Sequence, residues 1–478
     1  MLKSDITFRR DGWRAVIGEG FNEENVIRIA EAFVRYLQTR SRTAASVAIG
    51  FDGRKNSSQF AELFAQILSA NNISVLLSTA IIPTPVLSFA VVQHKCSAGI
   101  MITASHNPPD YNGIKFKASY GGPFISQEAH KVQQFLNAEI KGKRDDLHVQ
   151  KKDFLPEYLE HVKTIVDFDL LKKFAQLPSN NASVIIDSMG GAGQSILEDI
   201  LTPLGWRAQT IFGTTEPNFY DRFPEPVERN LGPLMYNTGV TDALLGIATD
   251  GDADRCGIVY HDGTWMSSQE TILALLWHLH TNKKWKGAVI KSASVSDKVR
   301  MLAQRWEEEV YVVNVGFKYV TELMLTKDFM LGAEESGGLG YKYHIPERDG
   351  VLSGLLFCEM IAASGRSLQS IMEEIHSVVG ELYYDCLDVR YDKPEREEML
   401  LRLAKIQTTN FIAQFPIRSI RTYKEDEMLS GIKFILGNSR WLLIRASQTE
   451  PLARIYTEGW SEEEVKELLE AGKMLVKN

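Results

Sequence analysis

Cysteine is scarce: four in 478 residues, at 96, 256, 358 and 386, with no CxxC pair among them. That spacing excludes a disulfide framework and a zinc ribbon and leaves reduced core thiols as the expectation. Long apolar runs are also missing. No stretch reaches the ~20 residues that a membrane-spanning helix needs. The opening residues MLKSDITFRRDGWRAVIG are charged where a secretory leader is apolar. Excess positive charge is lacking too, since 53 Lys and Arg stand against 61 Asp and Glu, a net −8. Broad nucleic-acid binding needs surplus cations to displace counterions, so it is not expected. A local basic pocket for a small anion remains compatible with this balance. The expectation is a cytoplasmic protein whose partners are neither nucleic acid nor membrane.

What is present is enough apolar residue, 44%, for several cores. Three segments read alike, at 46–77, 182–211 and 287–316: an apolar strand, a loop, a helix of 3–4 apolar spacing, then a second strand. Each predicts a parallel strand pair with a right-handed crossover. Their wide separation predicts three related α/β domains with mixed sheets rather than a solenoid. From about 375 the character changes. YYDCLDVRY and RWLLIRAS read as strands, and SEEEVKELLEAGKMLVK as an amphipathic helix opened by an N-cap serine. A smaller α+β domain follows from these, giving units at 1–150, 151–258, 259–374 and 375–478 around a central cleft.

Four loops carry chemistry. In LLGIATDGDADRCGIVY, an apolar strand runs into Asp250, Asp252 and Asp254, separated by Gly251 and Ala253. Small residues let the backbone curl until three carboxylates converge, a ligand set suited to Mg²⁺. In TASHNPPDYNGIKFK, Ser105 and His106 precede two prolines and Lys115 follows a turn. A phosphoserine at Ser105 fits as a fourth metal ligand, Arg255 suits its remaining oxygens, and Lys115 suits proton transfer. An Asp-rich turn, a capping serine and a solvated lysine are the plain readings of each residue alone. In GAEESGGLGYKYHIPERDG, Glu334 and Ser336 suit sugar hydroxyls, with His344 and Arg348 within reach. In IRASQTEPLARIYTE, Arg445, Ser447, Thr449 and Arg454 suit a phosphate dianion.

Together these loops, in this order, resemble the α-D-phosphohexomutase superfamily of phosphoglucomutases and phosphomannomutases, and the likeness spans the whole chain. DGWRAVIG and GFDGRKNSS are similar to further segments of that superfamily's first domain. The resemblance implies a reversible exchange of phosphate between O1 and O6 of a hexose, through phosphoserine at Ser105 and a bound 1,6-bisphosphate. Glucose 1,6-bisphosphate is then both intermediate and activator, and Mg²⁺ the cofactor. The resemblance further implies Lys115 as general acid/base, His106 as a supporting hydrogen-bonding group beside the nucleophile and Arg14 directed at the phosphoserine. Glu334 and Ser336 are implied at the sugar 3- and 4-hydroxyls. Lys291, Lys318 and Asn107 are further candidates for the cleft. The HIPERDG segment is closer to glucose-type members than to the mannose-type SGH pattern. A monomer or homodimer is expected.

The chain departs from the usual pattern at Arg9, Arg10 and Ala15, at Ala333, and at Gln448, where glycine is usual. These departures keep open a non-catalytic sugar-phosphate-binding homologue. Phosphomannomutase, phosphoglucosamine mutase, phosphopentomutase and a plain metal-dependent phosphatase stay open beside it.

Overall fold

The computed structural model describes residues 6–8, 12–40, 45–138, 141–177, 179–391, 396–425, 428–447 and 451–477. Arg9, Arg10, Gln448 and Thr449 lie outside the described residues. The first sheet contains β1 (Gly12–Val16), β2 (Ser46–Phe51), β3 (Ser74–Ser78), β4 (Ala98–Ile102), β5 (Tyr111–Ala118) and β6 (Val149–Lys152), in the order β1-β5-β4-β2-β3-β6. The second contains β7 (Ser183–Asp187), β8 (Arg207–Ile211), β9 (Leu245–Thr249), β10 (Cys256–Tyr260) and β11 (Trp265–Met266), ordered β11-β10-β9-β7-β8. The third contains β12 (Ala288–Ser292), β13 (Val310–Val313), β14 (Phe329–Ala333) and β15 (Leu339–Tyr341), ordered β13-β12-β14-β15.

The three sheets share one pattern. The strand–helix–strand segments legible in the sequence are the parallel pairs β2/β3, β7/β8 and β12/β13. A further parallel strand, β4, β9 or β14, adds beside the first of each pair. It then turns straight into an antiparallel neighbour, β5, β10 or β15. The turn leaving that third parallel strand is therefore topologically equivalent in all three units. It lies at the carboxyl end of the parallel strands, where open α/β sheets place their ligands.

The fourth unit is wholly antiparallel. It comprises β16 (Tyr383–Arg390), the small hairpin β17 (Phe411–Ile412) and β18 (Phe415–Pro416), β19 (Ser419–Glu425), β20 (Met428–Gly437), β21 (Arg440–Ala446) and β22 (Leu452–Gly459). Its main sheet runs β16-β22-β21-β20-β19. Helices Arg396–Ala404 and Glu462–Lys477 bury Leu400, Leu403, Leu468 and Leu469 against one face.

Three expected boundaries are corrected. Strand β6 pairs with β3, so the first unit continues past 150. Strands β10 and β11 belong to the second sheet, so a boundary at 258 would cut a strand. Helix Leu368–Val379 buries Ile371, Ile375 and Val379 in the same core as Ile272 and Leu276, which carries the third unit beyond 374. In the second unit the cause is the antiparallel hairpin, which returns the chain to the sheet it had just left. The cysteines also divide: Cys96, Cys256 and Cys358 are buried, whereas Cys386, on the edge strand β16, is exposed. Among the described residues no single helix is long and apolar enough to cross a membrane.

Polar groups join the units. The opposite face of the fourth sheet sets Trp441, Leu443 and Tyr456 against Ala293 and Val315 of the third unit. Glu458 accepts hydrogen bonds there from Ser296 Oγ (2.8 Å), the Asp297 amide (2.8 Å) and Trp441 Nε1 (2.7 Å). On the other side, helix Leu155–Ile165 brings Tyr158 and His161 to the third unit. His161 Nε2 lies 3.0 Å from His344 Nδ1, His344 Nε2 lies 2.9 Å from Asp349 Oδ2, and Tyr158 donates to the same carboxylate at 2.8 Å.

Burial and then the adjacent His344 push the His161 imidazole down to about 4. A ring that is neutral when folded but takes a proton when unfolded makes stability fall as pH drops from about 6.5 toward 4. His161→Asn is expected to remove about 2 kcal/mol of that acid-side loss, a figure reduced for the ring's partial exposure. Urea unfolding of both proteins at pH 7 and at about pH 4.5 checks this; parallel pH slopes would discard it.

Candidate active site

The three equivalent turns meet at one place. Ser105 follows β4, the three aspartates follow β9, and Glu334 follows β14. Ser105 is buried and adopts a left-handed backbone with φ of 54°. A non-glycine residue in that region carries on the order of 1–3 kcal/mol of strain. This geometry aims Oγ at Asp250 Oδ2, 2.9 Å away, and places it 3.4 Å from His106 Nδ1. Gly251 makes the approach possible, because a Cβ there would lie 2.4 Å from the Ser105 carbonyl oxygen. Gly251→Ala is expected to lower kcat about 100-fold through displacement of this loop. Steady-state kinetics check it, with KM for the sugar phosphate staying within about threefold.

Strand β5 explains the lysine. Its pleat sends Ile114, Phe116 and Ala118 into the first core and the alternate residues Lys115 and Lys117 the other way. Lys115 Nζ donates to Asp252 Oδ2 at 2.6 Å and Asp254 Oδ2 at 2.8 Å, with all three residues almost fully buried. Lys117 makes a buried ion pair with Glu347 of the third unit. Thr84, heading the helix Thr84–Gln93, hydrogen-bonds Asp252 with both its side chain and its backbone N–H. Thr84, Lys117 and Glu347 escaped the sequence reading. The alternation in IKFKA was the available signal for Lys117.

Asp250, Asp252 and Asp254 present one oxygen each within 4.8 Å of one another. Asp252 Oδ1 and Asp254 Oδ1 are buried without a hydrogen-bond partner. Burial, then Asp254 and Asp252, hold Asp250 well above the usual carboxylate range. At Asp252, burial acts the same way, but the Lys115 charge and the hydrogen bonds from Lys115 and Thr84 outweigh it and hold that carboxyl well below the usual range. Two orphaned oxygens and three crowded, buried carboxylates are a set that a hard divalent cation fits.

Arg348 ties two units together, donating to Asp254 Oδ2 at 2.7 Å and to Glu334 Oε2 at 3.4 Å. Arg255 pairs with Glu225 at 3.4 Å and gives its amide to Asp250 Oδ1 at 3.0 Å. Arg14 donates to Asn107 Oδ1 at 2.6 Å beside the serine loop. Ser336 lies half-buried in the turn between β14 and β15. In the fourth unit Arg445 and Arg454 are paired across β21 and β22, Arg454 lies 3.3 Å from Asp388, and the Ser447 amide donates to Leu452 O at 2.7 Å. Glu335 lies close enough to Arg454 and Tyr456 to bias the titration of both, which brings the fourth unit to the third.

Three expectations change. The His344 side chain is fully covered, with its ring nitrogens engaged by His161 and Asp349, so it offers no nitrogen to a sugar. Lys291 is buried against Val295 O and Asp297. Lys318 is held by Ser126 and Glu425.

Comparison with known proteins gives the same picture. Models of the phosphoglucomutase/phosphomannomutase family match in order: alpha/beta/alpha domain I over residues 5–143, domain II over 156–263, domain III over 267–378 and the C-terminal domain over 394–471. A crystal structure from Thermus thermophilus, designated a phosphomannomutase, is 32% identical with a TM-score of 0.82, covering 99% of this chain and 100% of its own. A phosphoglucomutase/phosphomannomutase of Thermococcus kodakarensis is 28% identical over 97% of both chains. A phosphoglucosamine/phosphogalactosamine mutase of Sulfurisphaera tokodaii is 26% identical over 98% of both. The class is that of an intramolecular phosphotransferase, an isomerase. The chain belongs to the phosphoglucomutase/phosphomannomutase family and is a phosphohexomutase.

Proposed function

We propose that this phosphohexomutase interconverts glucose 1-phosphate and glucose 6-phosphate, with Ser105 as the phosphoryl carrier. The observation that carries the reading is the Ser105 hydroxyl, held in a strained backbone 2.9 Å from Asp250 beside two carboxylate oxygens that lack partners. Asp250, Asp252 and Asp254 would hold a Mg²⁺ ion, which would supply charge neutralisation for the transferred group.

This chain's residues do the rest. Phosphate on Ser105 Oγ passes to the free hydroxyl of the bound sugar phosphate. The P–Oγ bond breaks and a P–O bond to the sugar forms; Lys115, entering the step as the neutral amine, takes the hydroxyl proton, and the departing Ser105 Oγ takes up a proton in its place. The 1,6-bisphosphate turns within the site, and the reverse steps return its other phosphate to Ser105. His106 supports Ser105, and Arg14 and Arg255 hold the oxygens of the moving group. Glu334, Ser336 and Arg348 orient the sugar, while Arg445, Ser447, Thr449 and Arg454 hold the phosphate that stays.

Two features support glucose over mannose. One is the HIPERDG segment, through Arg348. The other is Gly338, which stands where an SGH pattern has its histidine; a Cβ there would lie 2.4 Å from Arg348 Cδ, so a larger residue would displace the Arg348 side chain. The same reading has the enzyme in the cytoplasm as a monomer or homodimer, with sugar phosphates as its partners. The test is a mutase assay with Mg²⁺ and a trace of glucose 1,6-bisphosphate on glucose, mannose, glucosamine and ribose phosphates. Highest kcat/KM on glucose 1-phosphate is expected; a clear preference for any of the other three overturns the sugar assignment.

A further inference from the structure

The segment GFDGRKNSS contributes Arg54, which no step above uses. Arg54 is 3% exposed and its guanidinium faces the nucleophile loop. One terminal nitrogen donates to Ser105 O at 2.6 Å and Asn107 O at 2.7 Å; the other donates to Pro108 O at 2.7 Å and Tyr111 O at 2.9 Å. Nε lies 3.3 Å from Asp52 Oδ2, and Asp52 Oδ1 accepts from the Arg54 amide at 3.0 Å and from Ser57 Oγ at 2.8 Å. The ring of Phe219, from the second unit, lies 4.7 Å from the guanidinium carbon. One planar cation thus gathers four carbonyls of a loop whose prolines supply no N–H donors of their own.

Ser105 occupies a left-handed backbone conformation, and its carbonyl points at Arg54 while its hydroxyl points at Asp250. Releasing the carbonyl frees the peptide next to the Ser105 Cα and swings Oγ off its line. We propose that Arg54 is a positioning residue for phosphoryl transfer, setting the Ser105 hydroxyl through the backbone of its loop, with Asp52 and Phe219 fixing the guanidinium. The inference rests on Ser105 as the phosphoryl carrier.

The test uses full-length wild-type protein, Arg54→Lys and Phe219→Leu with Mg²⁺. Intact mass after incubation with glucose 1,6-bisphosphate gives the fraction of chains that take phosphate on Ser105, and kcat is normalised to that fraction. A lysine ammonium cannot span four carbonyls, so kcat per phosphorylated site is expected to fall about 100-fold, with KM for glucose 1-phosphate within about threefold. Phe219→Leu, which keeps the fork but removes the ring beneath it, is expected to lower kcat about three- to tenfold at the same KM. A purely structural arginine would lower the fraction of competent chains and leave kcat per site unchanged; that result overturns the proposal. Should Arg54→Lys not fold, wild-type kcat per site in Phe219→Leu overturns it alone. Wild-type protein that takes no phosphate on Ser105 instead overturns the reading on which the inference rests, and that result is seen before either variant is tested.

Discussion

Ser105→Ala is expected to lower kcat on the order of 10⁵-fold or more, because it deletes the atom that carries the phosphoryl group. Lys115, the neighbouring candidate, is already committed to Asp252 and Asp254 at 2.6 and 2.8 Å. Stability should change little: the variant loses the hydrogen bond to Asp250 and a longer one to His106, together worth about 1–2 kcal/mol. It also retains the packing of Gly251 against the Ser105 carbonyl. Two measurements check the claim together. A coupled assay should show no turnover, and intact mass after incubation with glucose 1,6-bisphosphate should show no added phosphoryl group. Turnover above about one hundredth of wild type from a variant that takes up no phosphate would refute Ser105 as the carrier.

The second large effect concerns the divalent cation. Chelation is expected to lower turnover on the order of 10³-fold or more, with full recovery on adding Mg²⁺, since the charge on the transferred group would then face three carboxylates unshielded. A second readout is independent of activity. A ligand bound only by the folded protein stabilises it by about 2.7 kcal/mol at about one hundred times its Kd, so Mg²⁺ should raise the melting temperature. In Asp252→Asn both responses should shrink together, because that oxygen pair is buried and the partnerless Oδ1 is lost as an anionic ligand. A melting temperature indifferent to Mg²⁺ in wild-type protein would count decisively against this metal site.

Much of this arrangement is legible in the sequence. The crossover units were visible because a strand, a helix and a strand each leave a local periodicity. The aspartates stood out because alternate acids with small spacers, at the end of an apolar run, have few other uses. What was hidden depends on docking between segments far apart in sequence. Thr84 meets Asp252 and Lys117 meets Glu347 across units, and Arg54 meets the loop at 105–111 within the first unit but about fifty residues away; none of these pairings has a local signature. His344 was misplaced for the same reason. Its motif put it near a site, but a histidine on a neighbouring unit's helix claimed it. Mixed sheets are expected from the sequence, but the position of the antiparallel return in each, after β4, β9 and β14, is not legible there, because such a return changes partner without changing composition.

The buried charges crossing unit boundaries bear on how such a protein can be altered. Lys115 from the first unit and Arg348 from the third both lean on Asp254 of the second, and Glu334 shares Arg348. Electroneutrality in this spot is therefore a property of three domains jointly and of none singly. A domain transplanted from a relative would bring its own set of charges, and a mismatch would leave an uncompensated ion in the interior. Shuffling experiments on this scaffold should accordingly move loops as charge-matched sets, and the same holds for the fourth unit, whose buried Glu425 and Glu458 meet Lys318, Ser296 and Asp297 of the third.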